Sequence, residues 1–158
     1  MPKITLADLP VARGLTGYPS PYGKGCDLYE AVEIGRAGGL TQFGVGIETL
    51  LPGGLSSQRH WHENEDECLI MLEGEAVLIE DDGEHILRAG DAAAWTAGTP
   101  NGHHIVNRGD APARYVIIGT RAATDTVHYP DIDLEYRRTE QGRGYFHKDG
   151  RAYPRAPS

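Results

Sequence analysis

The chain has 158 residues, 39% of them hydrophobic, with 21 Gly and 10 Pro, a size for one domain and a composition that excludes a helical bundle in favour of short strands and tight turns. Fifteen Lys plus Arg stand against 23 Asp plus Glu, a net charge of −8, which repels phosphate backbones and argues against a nucleic-acid partner. No apolar run reaches the ~20 residues of a membrane helix, the start lacks a signal-peptide segment, and Cys26 and Cys68 are too few for a disulfide framework; the expectation is a cytoplasmic protein with no membrane partner.

Residues 1–28 carry Pro2, Pro10, Pro19 and Pro21 among scattered glycines and read as an extended N-terminal arm. Short apolar runs follow at 30–34 and 43–50, and the turn 51–54 leads to a strand ending in His60-Trp61-His62. A polar turn at 63–66 precedes the apolar run 68–72. Asp81-Asp82-Gly83 between 76–80 and 84–88 predicts a hairpin, because Asp-Gly accepts the positive φ of a tight turn. Beyond a turn at Gly90 come 92–96, a loop at 98–102, and a second pair of strands at 103–107 and 115–120. Strands at this spacing predict a sandwich or barrel over residues 29–120. Residues 121–158 read as a polar C-terminal extension with at most one short helix or edge strand.

His60 and His62, two apart, leave the same face of a strand, and Glu67 returns a carboxylate to that region after a four-residue turn. Two imidazoles and a carboxylate suit a divalent ion such as Fe, Mn, Ni, Co or Zn; the alternative is a surface pair of histidines. Gln58 shares their face and is a candidate outer-sphere partner. Glu65 and Asp66 read as turn residues and surface charge, and Cys68 as a core filler. Trp61 and Trp95 read as packing residues, and Arg59 points away from the site.

The series Gly54, His60, His62, Glu67, Gly74 resembles the first motif of the cupin superfamily at each fixed position. Gly90, Gly98, His103 and Asn107 resemble the second, with Thr96 in place of the usual Pro and a longer loop after Gly98. The resemblance covers roughly residues 40–120. It implies an all-β, cupin-type double-stranded β-helix or jelly-roll barrel with extended arms, and one divalent ion per chain on His60, His62, Glu67 and His103. The spacing to Asn107 selects His103, which turns Ile105 inward; His104 is the alternative. The tail around 127–134 resembles the extension of small single-domain bacterial cupins, a subgroup that includes sugar-phosphate isomerases by name.

The expected function is a metalloenzyme acting on a small polar metabolite, of dioxygenase, lyase or isomerase type, with a non-catalytic sensor or binding module as the alternative. Sugar-phosphate chemistry would need an Arg to hold the phosphate, since no Lys lies between residues 25 and 147. Open sheet edges and two arms predict a homodimer.

Overall fold

The computed structural model describes residues 3–14 and 17–154; residues 1–2, 15–16 and 155–158 of the two expected arms lie outside the described residues. The strands are β1 (Ala12–Arg13), β2 (Tyr29–Val32), β3 (Phe43–Leu50), β4 (Trp61–His62), β5 (Glu67–Glu73), β6 (Glu75–Glu80), β7 (Gly83–Arg88), β8 (Ala92–Trp95), β9 (His104–Val106), β10 (Ala113–Thr120), β11 (Asp125–Tyr129), β12 (Leu134–Thr139) and β13 (Gly142–Phe146). Among the described residues, helical structure is confined to a 3-10 turn at Leu6–Asp8 and a single turn at Ile34–Ala37. No helix of the described residues is long and apolar enough to cross a membrane.

A six-stranded sheet runs β1-β2-β3-β10-β5-β8, a three-stranded sheet β7-β6-β9, and a four-stranded sheet β13-β12-β11-β4. Period-2 alternation builds the barrel interior. Along β5, Leu69 and Met71 are buried while Ile70 and Leu72, which alternate with them, face outward. They meet Leu50, Tyr115, Leu78 and Ile105 from the neighbouring and facing strands in one core. The predicted hairpin forms with Glu80 opposite Gly83, so Asp81 and Asp82 make the turn and Gly83 takes the positive φ. Gly74 has φ +76°, and a Cβ there would stand 2.5 Å from the Pro112 carbonyl oxygen, so a side chain is excluded twice over.

Two sequence expectations are corrected. Residues 103–107 and 115–120 do not pair with each other: β9 pairs with β6, and β10 lies between β3 and β5. The connection 107–112 crosses between sheets, and Asn107 staples it there. Its amide donates to the Leu50 and Ala111 carbonyls, 2.8 Å each, and accepts from Gly109 N–H at 2.9 Å.

The C-terminal extension also exceeds one edge strand. It is a three-stranded meander, β11–β13, whose β11 pairs with β4. Val127, Tyr129 and Leu134 form a second core there with Tyr18, Tyr136, Tyr145 and Tyr153 against it. Arg59 ties the meander to the barrel through a bidentate bond to Asp131, 2.7 Å on each arm, and a further bond to Asp81. Because β4 belongs to the meander's sheet and carries His62, barrel and extension are expected to unfold together. Leu134→Ala, at a fully buried site, should lower stability by about 2–5 kcal/mol in a single urea transition. A separate early transition with an unshifted main one would show that the meander folds apart.

Candidate metal centre

His60 and His103 exchange backbone hydrogen bonds of 3.1 and 2.9 Å, which fixes the register that turns both imidazoles into the barrel. His62 follows two residues after His60 on the same side, with its ring centroid 5.1 Å from that of His60. Glu67, the first residue of β5, stands between Trp95 and Gly119. One of its oxygens, Oε2, lies 3.0 Å from His103 Nε2, 3.5 Å from His62 Nε2 and 3.7 Å from His60 Nε2. Three imidazole nitrogens thus aim at one carboxylate oxygen. His104 is directed elsewhere, with Nδ1 at 3.0 Å from the Ser57 carbonyl, while Ile105 is buried in the core.

The far nitrogen of each ring is tied. His60 Nδ1 is 2.9 Å from the Gln58 carbonyl and 3.1 Å from Ser57 Oγ. His103 Nδ1 faces the Asn101 carbonyl at a long 3.4 Å, and its ring is stacked on Trp95 with centroids 3.9 Å apart. His62 Nδ1 is 2.6 Å from Asp125 Oδ2, whose other oxygen accepts Asn64 N–H at 2.9 Å. When Nδ1 donates outward, the Nε2 lone pair is left for an ion, the usual arrangement around ligating histidines. Gln58 thus serves through its backbone carbonyl; its side chain turns away and donates to the Tyr22 carbonyl at 2.7 Å.

Burial and the neighbouring charges act differently on each donor. Burial lowers the His60 imidazole to about 4, so it is neutral at pH 7 with a free lone pair. Burial alone would raise Glu67, but the His103 hydrogen bond and the neighbouring imidazoles hold it down to about 2, a carboxylate throughout the neutral range. Burial pushes His62 down, and Asp125 and Glu67 more than reverse that, leaving it above its ordinary value. A neutral imidazole, an ionised carboxylate and two further imidazoles form a set that can hold a borderline divalent ion.

Several residues read otherwise in the sequence, or not read at all, shape the centre. Asp125 was invisible because it is 63 residues from His62 and only the β4–β11 pairing joins them. Glu65 is buried rather than a surface charge. It is ion-paired with Arg138 and accepts Ala122 N–H at 2.9 Å. Cys68 alternates to the outer sheet face with Ile70, away from the core. Glu48 of β3 faces into the barrel, where Tyr29 and Tyr115 donate to its two oxygens at 2.6 and 2.7 Å. Burial raises its carboxyl above the ordinary range, as the two tyrosines lower it only in part. Glu48 shares an inner cavity of about 200 Å³ with His60, Glu67 and His103, room for about six waters. A larger cleft of about 1130 Å³ between the N-terminal segment and the meander reaches His60 and His62 from outside; Tyr18 and His60 line both spaces.

Comparison with known proteins bears on this centre. Residues 46–119 match the cupin domain family. The chain is 41% identical to a sugar phosphate isomerase of the cupin superfamily from Silicibacter pomeroyi, with 97% of each chain covered and a TM-score of 0.91. A putative sugar phosphate isomerase from Acidithiobacillus ferrooxidans is 24% identical over 80% of this chain and 82% of its own, with a TM-score of 0.71. The polyketide cyclase RemF from Streptomyces resistomycificus is 20% identical over 76% and 79%, with a TM-score of 0.62. These last two share the fold. No curated protein matches. The motif residues, the barrel and the Silicibacter likeness over nearly the whole chain together make this protein a member of the cupin superfamily.

Proposed function

We propose that the protein is a cytoplasmic metalloenzyme that binds one divalent ion on His60, His62, Glu67 and His103 and isomerises a small phosphorylated sugar. The observation that carries the metal is the aim of three Nε2 atoms at one Glu67 oxygen with each opposite nitrogen tied. The reaction class is supported by the likeness to the Silicibacter protein named as a sugar phosphate isomerase. Two free cysteines suit a reducing compartment.

A bound divalent ion supplies Lewis-acid polarisation of a carbonyl or hydroxyl oxygen. The chain supplies the rest. Aldose–ketose exchange moves one proton between neighbouring carbons and one between their oxygens, with no net oxidation. Glu48 is the carboxylate in the inner cavity suited to carry the carbon-bound proton, oriented by Tyr29 and Tyr115 from two strands. Tyr18 and Trp95 line that cavity and limit access of water.

Metal analysis of untagged protein, followed by NMR of aldose phosphates in D2O, tests this reading. Metal near one equivalent and deuterium incorporation next to the carbonyl are expected, both lost in His62→Ala and His103→Asn and both kept in His104→Asn. Metal binding without turnover would favour a non-catalytic binding module; loss of metal in His104→Asn alone would move the ligand by one residue.

Asp125→Asn keeps the shape of the partner to His62 and removes its charge. A loss of about 10–100-fold in metal affinity is expected, read by competition with a chromophoric chelator. Unchanged affinity would mean that Asp125 does not tune the centre.

The proposal includes a homodimer. The outer face of the six-stranded sheet carries Val116, Ile70 and Ala92 in one row across neighbouring strands, with Leu72 beside them. Ile70 is 39% and Leu72 43% exposed, and a second copy would cover this apolar surface. Light scattering should give twice the chain mass, and Ile70→Lys with Leu72→Glu should give a monomer. A monomeric wild type at micromolar concentration would overturn it.

A further inference from the structure

The outer cleft has a sign opposite to that of the chain. The protein holds 23 Asp plus Glu and a net charge of −8, yet among the described residues no carboxylate lines this cleft, and Arg143 is the one Arg or Lys that does. Among the described residues nine arginines stand against a carboxylate, whereas Arg114 and Arg143 do not. Arg114 lies elsewhere, on the outer sheet. An arginine left unpaired in so acidic a chain, in a recess free of acids, is suited to an anion from solution.

Its setting narrows the anion. Arg143 and Tyr145 are two apart on β13 and project from the same face. Tyr145 packs on Tyr18 with centroids 5.7 Å apart, and Tyr18 on Tyr129 at 5.8 Å. Tyr129 in turn lies 5.9 Å from the ring of His60. A continuous wall of rings therefore leads from Arg143 to the metal centre. Such a wall takes the C–H face of a sugar ring, with tyrosine hydroxyls at its edges for hydroxyl groups.

We infer that this cleft binds the phosphorylated sugar and that Arg143 is the residue that recognises its phosphate. The inference rests on the proposed function and adds the specificity residue to it. The planar guanidinium can give two parallel N–H bonds to phosphate, a geometry that a lysine lacks. The selectivity for a phosphate ester over a neutral sugar then resides in the meander, outside the cupin motifs.

Calorimetric titration of the metal-loaded protein with glucose 6-phosphate, ribose 5-phosphate, the two parent sugars and gluconate tests this. The wild type is expected to bind at least one phosphate ester more tightly than its parent sugar. Arg143→Gln should weaken that ester about tenfold or more and leave the parent sugar unchanged, with Arg143→Lys in between. Arg143 is exposed, so the variant should melt with the wild type and retain its metal. Equal ester affinity in Arg143→Gln, no ester preference in the wild type, or Arg143-dependent binding of gluconate alone would each overturn the inference. Arg143-dependent ester binding without isomerisation would uphold it while removing the isomerase reading.

Discussion

The 2.6 Å contact between His62 Nδ1 and Asp125 Oδ2 is the constraint on which the rest of the site depends. It joins a motif histidine on the barrel to a carboxylate in the C-terminal meander, and the β4–β11 pairing holds the two backbones in register. Burial would raise the Asp125 carboxyl, but His62 and the Asn64 N–H outweigh it and keep the group below its ordinary value. Asp125 is therefore a fixed negative charge behind an imidazole, which sets the tautomer and the ring plane. Without the meander, His62 would have neither.

Burying so many acidic groups in a small barrel is tolerated because each carboxyl group has local partners. Asp125 has His62 and Asn64, Glu65 has Arg138 and a backbone N–H, and Glu67 has three imidazoles. Glu48 alone has neutral donors and no cation, and its carboxyl is the one driven up. Two carboxylates in one cavity are thus pushed in opposite directions, Glu67 toward the ionised form and Glu48 toward the protonated one. Such a separation suits the metal binding and proton transfer proposed for this site.

The meander has a second effect. Its aromatic side chains and the Tyr18 segment form the walls of the outer cleft, while Arg59, bonded to Asp131 and Asp81, fixes it against the barrel. The barrel supplies the donor atoms and the extension supplies the space in front of them. A relation of this kind lets one metal-binding scaffold carry different chemistry when its flanking strands differ.

What the sequence determined by itself was local. The period of two in His60-Trp61-His62 places both rings on one face, and Asp-Asp-Gly marks the β6–β7 hairpin. Glycines at 54 and 74 mark points where backbones meet too closely for a Cβ. The spacing of these residues identified the family and the all-β architecture. Only the tertiary structure decided that β9 pairs with β6 instead of β10, because strand pairing depends on which face a crossing loop delivers, and the strand sequence does not encode that. It likewise decided that residues 125–146 form three strands, whose stability comes from a tyrosine-rich core shared with Tyr18 of the N-terminal segment. Asp125, Glu48 and Arg138 had no legible signal for the same reason: a lone charged residue in a strand reads as solvated surface until a distant segment closes over it.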